Sequence, residues 1–547
     1  MNELRKKTEE IIEDKIPYSL NDLKNPFKVA LSKFKEAKEI IMDALMSDMD
    51  IYIYGDYDAD GVSSTAILKL LLEELKMMLG AKSQIYCFLP DRFKDGYGLK
   101  KEAISKFETV GLLITVDNGI NSNEAIKEAK DKGFKVLILD HHIANGTIPE
   151  CDLWIDPIVT GEDKLCGAGI AYTLAEECLG ENHKLLTQLV VLAAIGTVAD
   201  MVSLLSLNNR RIVKKGLLHM LEFGPILKII EEAEIYNIDE HMIGFKLAPL
   251  INACGRLESP IIALNHLIGK EDNTKKMIEL NKIRIELTDV GTAYAEKYIL
   301  DNQLSGNKVF VINAENTIHE GVLGLIAGKI TNKYNVSSIL LGKKNSELKG
   351  SARGYGTNVH LTEVLSKCPS LITYGGHKEA AGLSLKEQDF YKFEDEILSI
   401  FNGIEIKTED AKVVPELKIT PTEIEEFECI TREYAPYGMD FPKLVVEVEN
   451  IDISPYMGKF FNYVGEKKEI AKAKTKENIT IIAFDKDIAN DCVKNQLKRV
   501  DVVGNVSSNR FRREKSIQLE ATTLQKSKVL NNETSLQALL RKRMSEF

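Results

Sequence analysis

The chain has 547 residues, 44% hydrophobic and 28% charged, the composition of an ordinary soluble protein with room for roughly three domains of about 150 residues. No apolar region follows the opening MNELRKKTEEIIEDK, and the longest largely apolar run, Leu185 to Ala199, is shorter than the roughly 18 residues of a membrane span, so neither a secretory signal nor a membrane partner is expected. Eight cysteines without a C-x-x-C pair suggest neither a disulfide framework nor a zinc finger and fit a reducing cytoplasm, while the net charge of −11 disfavours nucleic acid overall without locating a basic groove.

Residues 1–48 read as a charged, helical N-terminal accessory region. From about 49 to 160, the runs DIYIYG, SQIYCFL, GLLITVD and KVLILD each precede a polar or glycine-bearing turn, the spacing of a parallel sheet with crossover helices. Residues 165 to 300 look mostly helical and end in TKKMIELNKIRIELTDVGTAYAEKYILDNQ, which has no Pro and one Gly, as expected of a helix bridging two domains. A second α/β unit opens at KVFVINA, and the β-like runs KLVVEVENIDI, NITIIAF, RVDVVGNV and KSIQLEATTL suggest a small C-terminal barrel. The expected layout is 1–48 accessory, 49–270 first domain, 271–305 connecting helix, 306–402 second α/β domain, 413–525 barrel and 526–547 tail.

The stretch GDYDADG carries Asp56, Asp58 and Asp60 at alternate positions before a glycine, which is how a calcium hand begins. The twelfth position of such a loop is Ile67, where the bidentate Glu belongs, and the flank Met49–Tyr54 alternates like a strand rather than a helix. The aspartates are therefore expected in a turn between a strand and a helix whose pattern begins at Ser63, at the sheet edge where ligands bind. A plainer use also exists, since Asp and Gly make turns and cap helices.

Two later strands end at Asp117, in ITVDNG, and at Asp140, His141 and His142, in ILDHH. All these ends share one edge of a parallel sheet, so five carboxylates and two imidazoles converge, an arrangement too repulsive to stand unpaired. Divalent cations resolve it. A mixed Asp/His set suits Mn²⁺ best, with Mg²⁺ and Zn²⁺ also compatible, and two ions roughly 3.5–4 Å apart would activate a water for phosphoryl transfer. Asp200, in GTVADMVSL, is a further candidate ligand.

The ordered set YGDYDADG, VDNG, LDHH and GTVADMVSL resembles the DHH phosphoesterase superfamily. NACGRL, HEGVLGLIAGKI, GSARG and YGGHKEAAG resemble its RecJ single-strand-specific exonuclease branch, including the DHH-associated domain, and RVDVVGNVSSNRFRREKSIQLEATTL resembles that branch's OB-fold. The resemblance implies an α/β protein: a parallel-sheet DHH domain, a long helix, a smaller α/β DHH-associated domain and an OB-fold barrel. It implies that Asp58 binds one metal and Asp60 the other, that Asp117 bridges them, and that His141 and Asp200 complete the coordination of the second metal. Asp56 assists the first metal, His142 faces the scissile phosphate, and Asp140 orients the imidazoles. Arg92, Arg256, Ser351 and Arg353 match the family's phosphate-holding positions, and His319 and His377 match substrate-side positions beside glycines. The implied activity is two-metal, 5′-to-3′ hydrolysis of single-stranded DNA to mononucleotides in repair and recombination, with a helicase or single-strand-binding protein as candidate partners.

In the barrel, Phe460, Phe461 and Tyr463 precede a run of lysines, as on a single-strand stacking platform; the same rings would equally serve the barrel core. Ile318 stands where the family commonly has Trp, and PYGMDFP replaces a Gly/Asn-rich turn, departures that bear on domain contacts rather than on the metals. Two rivals share features of the sequence. A DHH-family phosphodiesterase of short RNA or cyclic dinucleotides would keep the metal set but need no barrel, and a non-catalytic single-strand-binding scaffold would be expected to lose ligands that are all present here.

Overall fold

The computed structural model describes residues 3–527 except 97, 409–412, 457, 466–467 and 512–513; the expected tail lies outside the described residues beyond 527. In the first domain β1 (Ile51–Tyr54), β2 (Ile85–Phe88), β3 (Leu112–Val116), β4 (Lys135–Leu139) and a short β5 (Leu153–Ile155) pair in the order β2-β1-β3-β4-β5, and every pairing is parallel. The alternation in β1 separates two cores rather than core and solvent. Ile51 and Ile53 join the large cluster under the helices, whereas Tyr52 and Tyr54 join an aromatic cluster on the other face, as in a parallel sheet covered on both sides.

The helix Thr274–Asp301 connects this domain to a mixed sheet of β6 (Val309–Asn313), β7 (Ser337–Lys344), β8 (Glu347–Arg353), β9 (Leu371–Gly376) and β10 (Ala380–Lys386), in the order β6-β7-β8-β10-β9. The motif GSARG runs through β8, and YGGHKEAAG folds into the β9–β10 hairpin, where the His377 amide donates to Ala380 O at 2.8 Å. One face of this sheet packs under Phe390–Asn402 and the other under Leu323–Tyr334.

The C-terminal sheet contains β11 (Leu417–Ile419), β12 (Val445–Ser454), β13 (Asn462–Val464), β14 (Ile470–Thr475), β15 (Thr480–Ala483), β16 (Arg499–Phe511) and β17 (Glu514–Lys526). Its order is β11-β12-β16-β17-β15-β14-β13, and an extra β12–β14 pairing closes a five-stranded barrel, the OB-type solution to exposed strand edges. Phe461 is fully buried in the barrel core, with Phe460 packed against it; the stacking-platform reading is corrected for these two rings and stays open only for Tyr463, which is 36% exposed. The N-terminal helix Glu3–Glu13 packs into this same core through Leu4 and Ile12.

One fully buried arginine fastens these parts. Arg210 donates from Nε to Leu23 O at 2.8 Å, from Nη1 to Pro436 O at 2.9 Å and from Nη2 to Tyr434 O, with its guanidinium 4.9 Å from the Phe441 ring. PYGMDFP thus forms a domain contact of its own in place of the turn it replaces. Among the described residues no helix is long and apolar enough to cross a membrane, and all eight cysteines are free thiols.

Candidate metal centre

Four of the five parallel strands are followed at their carboxyl ends by an aspartate: Asp56 after β1, Asp117 after β3, Asp140 after β4 and Asp156 after β5. The helix after β1 runs Ala59–Leu79, four residues earlier than its apolar period suggests, because Asp58 is its N-cap; Asp58 Oδ1 accepts from the Asp60 and Gly61 amides at 3.1 and 3.0 Å. The capping use of GDYDADG therefore leaves room for a ligand use, since one Asp58 oxygen caps the helix and the other is left over. A β-carbon on Gly61 would lie 2.7 Å from the Asp56 backbone, so the glycine permits the fold-back that brings Asp56 beside Asp58.

Asp117 adopts φ 61°, and Gly119, two residues on, φ 117°. The Asn118 side chain donates from Nδ2 to Val116 O at 3.0 Å and holds this left-handed turn. Asp and Asn tolerate that region best among side chains with a β-carbon, which explains why the turn reads VDNG. Asp140 is fixed in turn by the Ile120, His141 and His142 amides at 2.8, 2.8 and 3.2 Å, and it accepts from His142 Nδ1 at 2.7 Å.

His141 Nε2 lies 2.9 Å from Asp117 Oδ1 and 3.8 Å from Asp60 Oδ2, and its Nδ1 lies 3.6 Å from Asp200 Oδ2. Asp60 is buried against the first turn of Gly167–Leu179, where the Gly167 and Ala168 amides donate to its two oxygens at 2.7 and 2.9 Å. β-Carbons on Gly196 and Gly167 would approach an Asp60 oxygen to 2.3 and 3.0 Å, so both glycines are needed for the carboxylate to enter. Asp200 is the C-cap of Leu186–Ala199, the end of a helix where a negative charge is disfavoured.

The electrostatics ask for cations. Burial, reinforced by neighbouring aspartates, holds Asp56 and Asp117 well above the ordinary carboxyl range and pushes Asp60 up to about 6 and Asp200 up to about 8. Burial lowers His141 to about 3, leaving a neutral ring able to donate a lone pair. His142, although buried, is raised to about 9 by its bond to Asp140. Asp56 Oδ1 is buried without a hydrogen-bond partner among the described residues. Three sets of donor atoms each lie within 4.8 Å of one another: Asp56, Asp58 and Asp117; Asp60, His141 and Asp200; Asp117, His141 and His142. An Asp/His set of this kind fits Mn²⁺ or Mg²⁺.

Beside the acids stands a group of arginines. Arg256 donates from Nη1 to Gly321 O at 3.3 Å and is lowered to about 9 by burial and by Arg92, Arg284 and Arg353, partly offset by Asp58. Arg353 Nη1 donates to Ser351 Oγ at 3.0 Å, and Arg92 lies 5.0 Å over the Tyr57 ring. None of these four guanidinium groups forms an ion pair among the described residues. His377 stacks 6.3 Å from His142. His319 caps the 3₁₀ turn Glu320–Val322, accepts from the Gly321 amide at 3.1 Å and meets the Phe93 ring edge-on at 5.6 Å.

Sequence reasoning missed three nearby residues. Asp156 follows a strand too short to register, and its carboxyl is pushed up to about 7 by burial and by Asp140. Asn252, inside the quoted NACGRL, accepts the Ala59 amide at 2.9 Å and so anchors the aspartate-bearing helix. Arg284 sits mid-helix in a charged run with no local signal.

The DHH family N-terminal domain profile matches residues 50–197, the DHHA1 domain 306–403 and the RecJ OB domain 415–523. The chain is 32% identical to the single-stranded-DNA-specific exonuclease RecJ of Bacillus subtilis, over 91% of this chain and 64% of the relative. To that of Haemophilus influenzae it is 31% identical, over 69% of this chain and 70% of the relative. The chain thus spans just under two thirds of the first relative's length. Among solved structures, RecJ of Thermus thermophilus in complex with Mn²⁺ matches with a TM-score of 0.77 at 25% identity, covering 95% of this chain and 76% of that one. An exonuclease RecJ bound to manganese matches at 0.61 and 30% identity, covering 70% and 97%.

Proposed function

The chain belongs to the RecJ exonuclease family, and on that footing we propose that it hydrolyses single-stranded DNA from the 5′ end, 5′ to 3′, releasing mononucleotides. The observation that carries this reading is the acid cluster lying directly beside arginines that form no ion pair among the described residues, a cation site next to a phosphate site. Asp56, Asp58 and Asp117 would hold one divalent cation, and Asp60, His141 and Asp200 a second, with Asp117 shared; Mn²⁺ is preferred and Mg²⁺ is compatible. Bound there, such ions would supply Lewis-acid stabilisation of the phosphate and lower the pKa of a water.

The chain's own residues do the rest. Asp140 fixes the His142 ring, whose positive charge meets the scissile phosphate. Arg92, Arg256 and Arg353, with Ser351, grip the terminal phosphate through forked N–H donors. His377 at the hairpin tip and His319 at the 3₁₀ turn border the strand, and Tyr463 on the barrel stacks a base beyond the cleft. The working division is 1–48, 49–270, 271–305, 306–402 and 413–525, which assigns metals to the first large segment and strand capture to the later two. Since a single strand is the substrate, a helicase or a single-strand-binding protein is the class of partner that supplies it, in repair or recombination, and eight free thiols fit the cytoplasm.

The test is a digestion series with 5′- and 3′-labelled single-stranded DNA, RNA and duplex, with and without Mn²⁺. Release of 5′-labelled mononucleotide from single-stranded DNA alone, abolished by chelation, is expected. Release first from the 3′ end, or equal digestion of RNA dinucleotides, would overturn it in favour of a short-substrate phosphodiesterase.

A further inference from the structure

The arginine group does not end where the terminal phosphate is expected. Beyond Arg353 a cleft of about 530 Å³ opens between the connecting helix and Leu323–Tyr334, lined by the cations Arg284, Lys329 and Arg353 together with Thr288, Asn332, two glycines and the apolar Ile285 and Leu325. A water occupies about 30 Å³, so the cleft takes several polyatomic groups. Its chemistry is that of an anion site. Among the described residues Arg284, half-buried, spends only Nε, on Asn281 Oδ1 at 2.9 Å, and Arg353 spends Nη1 on Ser351 Oγ and Ala352 O at 3.0 and 2.8 Å. A β-carbon at Gly324 would sit 2.9 Å from Arg353 Nη2, whereas one at Gly328 would meet nothing within 4 Å. The first glycine admits the guanidinium, and the second leaves the floor of the cleft open. Asp289 of the connecting helix, paired with Lys329 at 3.0 Å, also attracts Arg284 and partly offsets the effect of its burial. Burial depresses both Arg284 and Arg353, and Arg92 depresses Arg353 further, the state that a bound anion relieves.

Arg353 therefore lines this cleft with Arg284 and also acts with Arg92 on Arg256, which feels all three. We propose that the Arg284–Arg353 cleft is a subsite for a further phosphate, adjacent to the terminal-phosphate position, which takes a diphosphate-type group. That group is carried on the strand as a 5′-di- or triphosphate end, or it belongs to a free ligand. The strand-borne form rests on the exonuclease reading; the anion site does not.

The test uses the full-length protein without divalent cations, so that no strand is cut. Binding is measured for one single-stranded oligonucleotide with a 5′-monophosphate and with a 5′-triphosphate, alongside the thermal shift given by inorganic pyrophosphate. Wild-type protein is expected to prefer the triphosphate end by about tenfold, the worth of one charge-assisted hydrogen-bond pair, and to be stabilised by pyrophosphate. Arg284→Ala should remove both effects. Gly328→Glu, which improves helix propensity and puts a carboxylate on the cleft floor, should do the same in a protein that folds. A pyrophosphate shift lost in both variants, without any end preference, keeps the subsite and assigns it to a free diphosphate. Equal affinity for the two ends together with no pyrophosphate shift, or effects that persist in both variants, overturns the proposal. Failure to bind any strand, with the pyrophosphate response intact, would count against the exonuclease reading alone.

Discussion

Two crowds of like charge lie side by side in this protein, and they are built from the chain in opposite ways. All but one of the acids come from one sheet and the helix that follows it: Asp56, Asp117 and Asp140 end neighbouring parallel strands, Asp58 and Asp60 open the helix after the first of them, and only Asp200 comes from elsewhere, the C-cap of Leu186–Ala199. The arginines come from four unrelated elements: the loop at Arg92, the helix Ala248–Leu257, the connecting helix and β8. A parallel sheet converges strand ends by topology, so an aspartate placed there needs no other instruction. A wall between two domains depends on how the domains dock, which no local pattern records. The two crowds should also respond differently to perturbation, because the acids are relieved by cations and the arginines by the substrate's phosphate.

The largest separation between them should come from Asp117→Asn. Asparagine keeps the left-handed backbone, so circular dichroism and thermal melting should show a folded protein. Cleavage should fall on the order of 10³-fold, since a shared ligand is worth several kcal/mol of transition-state stabilisation. Single-strand binding without metal should survive. Substantial cleavage by this variant would break the division of labour.

Arg256→Ala is the mirror experiment. Loss of a charge-assisted bond is worth about 1.5–3 kcal/mol, so affinity for a 5′-phosphorylated strand should drop by roughly 10- to 100-fold, while the Mn²⁺ concentration at half-maximal activity stays in place. A shifted metal midpoint would mean that the two crowds act as one. Gly196→Ala probes the acid side more gently. Its methyl would press on an Asp60 oxygen that lies 2.3 Å from the built β-carbon, and the Mn²⁺ midpoint should rise about tenfold with strand affinity unchanged, read by metal titration and by fluorescence anisotropy. The most restricted effect, confined to long strands, belongs to Tyr463→Ala, outside both crowds. Loss of one stacked base costs about 1–3 kcal/mol and should weaken only strands long enough to reach the barrel. Phe461→Ala should instead cost about 3–5 kcal/mol of stability, visible in denaturant unfolding, because that ring is core.

How much was legible in the sequence follows the same divide. The first sheet could be read from its alternation and turns, and the acids from their places after those strands. The apolar period places the helix start at Ser63 rather than Ala59, because Asp58 and Asp60 are polar and contribute nothing to it although they cap and open the helix. β5 spans three residues, too few for a pattern, and Asp156 was lost with it. Phe460 and Phe461 fit a stacking platform and the barrel core equally well in sequence, because spacing alone cannot say which face of a barrel strand is inside. Arg284 is one charge among many on a solvated helix until Leu323–Tyr334 docks against it, and Arg210 is one basic residue in a charged helix until three backbone carbonyls close around it. Ser351 and Arg353 were visible only through the family's motif, since it takes β8 and its neighbours to bring them beside Arg256.

The most direct measurement is anomalous diffraction at the manganese edge from crystals of the intact protein soaked in Mn²⁺. Two peaks roughly 3.5–4 Å apart are expected, one among Asp56, Asp58 and Asp117 and the other among Asp60, His141 and Asp200, with Asp117 touching both. A single peak, or manganese bound through Asp140 and His142 instead, would contradict the two-cation centre on which the whole assignment stands.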